Sequence, residues 1–319
     1  MHDHTVNRFM LSRRNVRVKV MQQLYSLAQD KELSLAGAKR AYLQSVQDTF
    51  LLYLLNLYCI TRVCSFAEED GQTRLKKHLK SEDDVKFTPK LYNNPLISSL
   101  VNNKVLQARF KKERFEEGLD EDLFRKIYKE FAKEEPYIKY LLADSTNEDT
   151  IEILLELYRT CRRNELFNEI MDDRFCGWSD DKSLVIGALK KTLKALPAEG
   201  SFYEEHQPDE ETIKDFGLFL LTKTYEEDAV LEEMIKPVLE NWDSERVALI
   251  DMILIKMGII EMLNIKTIPA KVTLNEYVEL SKQYSTDKSK EFVNGLLDKI
   301  LKELMERGQI VKEGRGLME

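Results

Sequence analysis

Arg8, Arg13, Arg14, Arg17 and Lys19 fall within twelve residues that contain no Asp or Glu. Guanidinium groups at this density suit an anionic ligand, because they fork onto phosphates with paired hydrogen bonds and also stack on unpaired planar rings. At helical spacing Arg13 and Arg17 share a face with Arg14 flanking them, while the valines between them point elsewhere. Cations in the first turn oppose the helix dipole at about 0.3–1 kcal/mol each when exposed. A solvated helix start is the plain alternative; an anionic partner would offset the cost.

No comparable set exists for covalent chemistry. The sequence has no Gly-rich phosphate loop, no HExxH, no GxSxG and no histidines paired at ligand spacing. His2, His4, His78 and His206 are scattered, and the acidic runs Glu68-Glu69-Asp70 and Asp180-Asp181 read as turns and helix caps. Cys59, Cys64, Cys161 and Cys176 form no CxxC pair and read as buried free thiols of a reducing compartment. The expectation is a protein that is not an enzyme, with no cofactor and no metal.

These residues sit in an acidic chain. Its net charge is −8, so any affinity for polyanions must come from a local patch. A hydrophobic fraction of 43% with only 12 Gly and 7 Pro in 319 residues points to a helix-rich globular protein. The longest apolar run, Phe50 to Ile60, is interrupted by Asn56 and falls short of the roughly 20 residues that span a bilayer. MHDHTVNRF lacks the apolar core of a signal peptide. A soluble cytoplasmic protein that does not engage a membrane is expected, with residues 1–9 as a tail and Met10 as an alternative start.

Strand alternation never persists, and helical periodicity dominates. The first helix is expected from an N-cap at Ser12 to about Gln29, with Val16, Val20, Leu24 and Leu27 on one face. A strongly apolar helix follows over about 36–66, then a polar stretch to Pro95 broken by Gly71 and Pro89. Further helices are expected over 95–115, 120–133, 147–171 and 179–196, then, past a linker at 197–208, over 209–235, stopping at Pro237. Three more close the chain. Residues 244–264 repeat Val247, Ile250, Leu254, Met257 and Ile260. The next, 270–284, presents Leu274, Val278 and Leu280. The last, capped by Asp287 or Ser289, carries Val293, Leu296, Leu297, Ile300, Leu301 and Leu304 at near-ideal spacing.

Arg13-Arg14-Asn15-Val16-Arg17 through Gln22-Gln23-Leu24-Tyr25 resembles the opening helix of the NusB family, in which RRxAR leads into an ALY-type sequence. Trp242, Arg246, Asp251, Leu254 and Glu261 match the spacing of that family's penultimate core helices. IPAKVTLNEYVELSKQYSTDKSKEFVNGLLDKI (268–300) resembles its pattern P-x-x-V-x-x-N-E-x-V-E-L-x-K followed by FVNG-x-LD. Asn15 stands where the family often has another arginine, and Lys288 where an acidic residue is common. The resemblance covers 10–29 and 209–306 and leaves 30–205 uncovered.

What the resemblance implies is an all-α protein: a NusB-like helical bundle with an additional inserted helical lobe. Its parts would be 10–29 as first helix, 30–205 as lobe, 206–306 as the rest of the bundle, and 1–9 with 307–319 as flexible tails. It implies a transcription antitermination factor that binds boxA-type single-stranded RNA together with NusE, a small-subunit ribosomal protein, and acts in an RNA polymerase antitermination complex, mainly on ribosomal RNA operons. Arg13, Arg14 and Arg17 would contact RNA, with Tyr284 and Phe292 as stacking aromatics; Tyr25 and Glu276 would meet or support the protein partner. Core packing is the alternative for both aromatics. Asn275 and Asn294 could be buried pins between helices, and Gly295 would let two helices approach. In the lobe, QARFKKERF (107–115) interleaves Arg109, Lys111, Lys112 and Arg114 with Phe110 and Phe115, which suits an extended RNA path or an amphipathic helix with a wet basic face. The rival to an RNA-binding factor is a helical protein-interaction scaffold. An appendage of an RNA methyltransferase lacks support, because no strand, Gly-rich loop and helix unit for a methyl-donor nucleotide occurs.

Overall fold

The computed structural model describes residues 10–239 and 247–317. Among them it is all α-helical, with no strand. In chain order the α-helices are α1 (Arg13–Gln29), α2 (Leu35–Leu75), α3 (Glu82–Lys86), α4 (Lys90–Asn93), α5 (Pro95–Val101), α6 (Lys104–Lys112), α7 (Glu121–Phe131) and α8 (Glu135–Leu142). They continue with α9 (Asn147–Arg163), α10 (Glu165–Arg174), α11 (Trp178–Lys194), α12 (Phe219–Glu226), α13 (Asp228–Leu239), α14 (Leu249–Asn264), α15 (Ala270–Tyr284) and α16 (Ser289–Glu306). The chain divides into two compact units, one of Leu11–Val46 with the residues from Pro208 onward, the other of Met10 with Gln47–Gln207.

The first unit is built around α14. Nearly every residue from Asp251 to Met262 is buried, so the helix is covered on all sides and not along one stripe. α1, α12, α15 and α16 pack on it. Gly258 permits the closest approach: a Cβ there would lie 3.0 Å from Leu297 and 3.3 Å from Tyr277. Gly295, expected in that role, faces open space. The helix expected over 209–235 is divided into a π-helical segment, Glu211–Leu218, then α12 and α13. The wide π turn leaves the Ile213 carbonyl free to accept the Tyr42 hydroxyl at 3.0 Å. It also brings Gly217 against that hydroxyl and Val16, where a side chain would collide. Pro237 lies inside α13, which runs to Leu239. Part of the segment expected as a C-terminal tail is bound: Lys312 Nζ donates to the Ile265 carbonyl at 2.9 Å and the Glu313 N–H to Lys266 at 3.0 Å.

The second unit buries the apolar side chains of α2 from Phe50 to Ala67 within helices α5 to α11. At 41 residues α2 is long and apolar enough to cross a bilayer, against the expectation from the shorter run, but 78% of its apolar window is buried inside the protein, as in a core helix. It outruns its expected end because Gly71, read as a breaker, is buried against Phe87 and Pro89. Inside the core, polar groups meet in pairs: Asn56 accepts the Tyr158 hydroxyl at 3.0 Å and donates to the Leu52 carbonyl at 2.8 Å. Tyr53 and Thr192 hydroxyls lie 2.8 Å apart, and Thr192 is 3.0 Å from His206 Nε2. Asparagines cut the expected long helices: Asn103 and Asn164 accept the N–H groups of Leu106 and Phe167 at 3.0 Å each, starting α6 and α10. Cys59, Cys64 and Cys161 are buried free thiols, as expected, while Cys176 is exposed. Phe110 and Phe115 are buried beside Tyr58, at ring-centroid distances of 5.3 and 6.0 Å. The basic stretch 107–115 therefore has no aromatic face to offer a base, which removes the stacking part of its expected role.

Candidate nucleic-acid interface

α1 begins as its sequence requires. Ser12 caps it, the Asn15 N–H donating to Ser12 Oγ at 3.5 Å and the Ser12 N–H to Asn15 Oδ1 at 3.1 Å. Asn15 thus completes the cap at a position where another arginine would give it up.

The arginines that follow diverge. Arg17 is only 3% exposed; its Nε and Nη2 donate to Glu261 at 2.8 and 2.6 Å, and its Nη1 to Glu276 at 3.2 Å. Glu261, fully buried on α14, also accepts Thr273 Oγ1 at 2.9 Å and the Tyr277 hydroxyl at 2.8 Å. Four donors on one carboxylate leave neither charge uncompensated. The guanidinium lies 5.3 Å from the Phe216 ring centre and 5.7 Å from that of Tyr277. Burial alone would lower the Arg17 pKa, but the Glu261 hydrogen bonds and charge reverse this and raise it, so the group stays cationic. Burial, reinforced by Glu261, pushes the Tyr277 phenol well up. The expectation that Arg17 faces RNA is corrected: it is the pin that ties α1 to α14 and α15. Glu276, expected to touch or support a protein partner, is half-buried and supports Arg17.

Arg13 is half-exposed, 3.7 Å from Glu211 and 5.6 Å from the Phe216 ring centre. Arg14 is exposed and makes no ion pair with any described residue. Around it, α15 and α16 contribute charge that sequence reasoning did not single out. Glu279 is held below the usual carboxylate range by a hydrogen bond from Lys282; desolvation opposes this, while the charges of Lys282, Arg14 and Lys290 add to it. Lys282, at the end of α15, bonds Glu279 directly, and Arg14 at the start of α1 and Lys290 at the start of α16 are exposed cations. Tyr284, the last residue of α15, is half-buried; Phe292, in the first turns of α16, is buried at 8% exposure and packs as a core residue. Tyr25 is 40% exposed on α1. Asn275 and Asn294, expected as buried pins, are exposed. The pin on that side is Asp251, buried on α14, which accepts Ser289 Oγ at 2.7 Å. Arg8, His2, His4, Trp242 and Arg246 lie outside the described residues.

Over 110 residues the chain is 36% identical to the transcription antitermination protein NusB of Salinibacter ruber, and the match takes in 69% of that protein and 34% of this chain. The chain belongs to the NusB family. The NusB family model matches residues 178–302, which hold α11 to α16. The region before it, α1 included, is additional to that match. Proteins of the same name from Chloroherpeton thalassium and Thermodesulfovibrio yellowstonii are 39% identical over 106 residues and 40% over 101. The match spans half of the Chloroherpeton protein and 65% of the Thermodesulfovibrio protein, and about a third of this chain in each case. No solved structure matches.

Proposed function

We propose that this NusB-family chain is a non-enzymatic RNA-binding transcription antitermination factor. In this reading it binds boxA-type single-stranded RNA jointly with the NusE ribosomal protein, within an antitermination complex on cytoplasmic RNA polymerase, chiefly at ribosomal RNA operons. α1 is its opening bundle helix and the helices up to about residue 205 form an inserted lobe. The observation that carries the reading is the set of exposed cations Arg14, Lys282 and Lys290 at three helix ends of one packed bundle, in a protein of net charge −8. A local excess of cations at three helix ends neutralises phosphates and releases counterions. In this reading half-exposed Tyr284 stacks on a base, worth about 1–3 kcal/mol. Arg13 adds to the patch when RNA competes with its surface pairing to Glu211, a pairing worth little in water. Exposed Tyr25 is retained as a partner contact.

The test is binding of a boxA-type RNA by the full chain, with and without NusE, alongside an Arg14→Ala/Lys290→Ala variant. NusE should tighten binding and the variant should weaken it, more so at low salt. Absence of RNA binding even with NusE would overturn the reading in favour of a protein-interaction scaffold.

A further inference from the structure

The second unit carries a cleft of about 420 Å³ between α2 and α7, lined by Phe66, Asp70, Arg74, Arg125, Lys129 and Lys133 among others. α7 is strictly two-faced. Leu123, Phe124, Ile127, Tyr128 and Phe131 are buried, while Arg125 and Lys129 stand one helical turn apart along the opening and Lys133 follows in the turn just past the end of the helix. The two walls are fixed to each other: the Tyr128 hydroxyl donates to Asp70 at 3.1 Å, and Arg62 to Glu121 at 2.6 Å. Charges at one end are already used. Asp70 takes a hydrogen bond from Arg74 at 3.0 Å, and Arg125 pairs with Asp122. Lys129 and Lys133 are exposed and form no ion pair with any described residue. Glu69, also exposed in the lining, is the acid left to oppose them.

We infer that this cleft is a second contact for single-stranded RNA, in which Lys129 and Lys133 take successive backbone phosphates of the strand outside the boxA-type element. The inference rests on the RNA-binding reading above. Two exposed lysines spread along one wall of a cleft suit a ligand with repeated negative charges better than a lone phosphate. Phe66 and Tyr128 are buried at 2% and 3% exposure, so the floor offers no ring for stacking and the contact is with backbone, without base preference. An acidic peptide is the competing occupant. The rim of the cleft presents charge and no large exposed apolar side chain to anchor one.

The experiment measures salt-dependent binding of the full chain with NusE to two RNAs, a boxA-type element alone and the same element with long single-stranded flanks. The variants are Lys129→Ala/Lys133→Ala, Glu69→Gln and Arg14→Ala/Lys290→Ala. Loss of two phosphate contacts should make the log–log salt slope shallower by about 1.4 for the flanked RNA only, and Glu69→Gln should tighten that RNA. Arg14→Ala/Lys290→Ala should weaken both RNAs. If the lysine variant binds flanked RNA as the wild type does, the cleft assignment is overturned while the RNA-binding reading stands. Should the wild type bind neither RNA, both fall. A lysine variant that keeps its RNA affinity but loses a polyglutamate peptide would assign the cleft to an acidic protein and overturn the inference.

Discussion

The two units bury polar groups in different ways. In the unit built around α14 the central polar group is an ion pair, Arg17–Glu261, saturated by Thr273, Tyr277 and Glu276. In the other, the Asn56–Tyr158 and Tyr53–Thr192–His206 contacts join neutral amide, hydroxyl and imidazole groups, and the buried Asp181 carboxylate accepts the Thr49 hydroxyl. A buried pair of charges is nearly neutral while complete but severe when halved, because the remaining charge has no solvent. A neutral pair loses a hydrogen bond and the desolvation of one group. The first arrangement fixes one geometry, holding α1 against α14 and α15 so that Arg14 is delivered to the surface. The second stabilises a core without specifying where a functional side chain must stand.

The largest expected effect breaks the charged network. Arg17→Met should destabilise the protein by about 3–5 kcal/mol, with amide-exchange protection falling first in α1, α14 and α15. Retained protection there would mean that Glu261 finds another partner. Next is the neutral network, where Tyr158→Phe should cost about 1–3 kcal/mol, read as a shift in denaturation midpoint with protection lost in α2 and α9. If it matched Arg17→Met, the contrast between the units would fail.

A smaller effect sharpens the contrast through pH. Burial lowers the His206 pKa, Glu205 opposing and Lys191 assisting, so the folded state favours the neutral ring. An unfolded histidine takes up its proton near pH 6.5. The stability tied to the neutral ring is therefore present above about pH 6.5 and lost as pH falls through the lower folded value. Denaturation midpoints between pH 7.5 and 5 should fall more for the wild type than for His206→Gln; parallel profiles would remove His206 from the account. The smallest expected change is in Arg14→Ala, whose stability should stay within about 0.5 kcal/mol of the wild type.

Much of this frame was legible. Ser12 announced the start of α1, and the spacing of Val293 to Leu304 announced α16, because caps and apolar stripes are local signals. Arg17 was misread because its neighbours along the chain are basic, whereas the acid that claims it lies 244 residues away. The one available signal was Glu261, which matches the family spacing and stands between Ile259-Ile260 and Met262, where a buried acid demands a cation. Lys282 and Lys290 were missed because neither stands in a basic run; the turn between α15 and α16 gathers them. The short helices of the second unit were blurred because a single Asn cap, as at Asn164, leaves the apolar period almost undisturbed.

The most direct test compares Arg14→Ala/Lys290→Ala with the wild type in the salt dependence of boxA-type RNA binding, with thermal unfolding recorded on the same samples. Two lost phosphate contacts should make the slope shallower by about 1.4 while the unfolding midpoint stays put. An unchanged slope in a variant that unfolds normally would contradict the division of labour between a buried Arg17 that builds and exposed cations that bind.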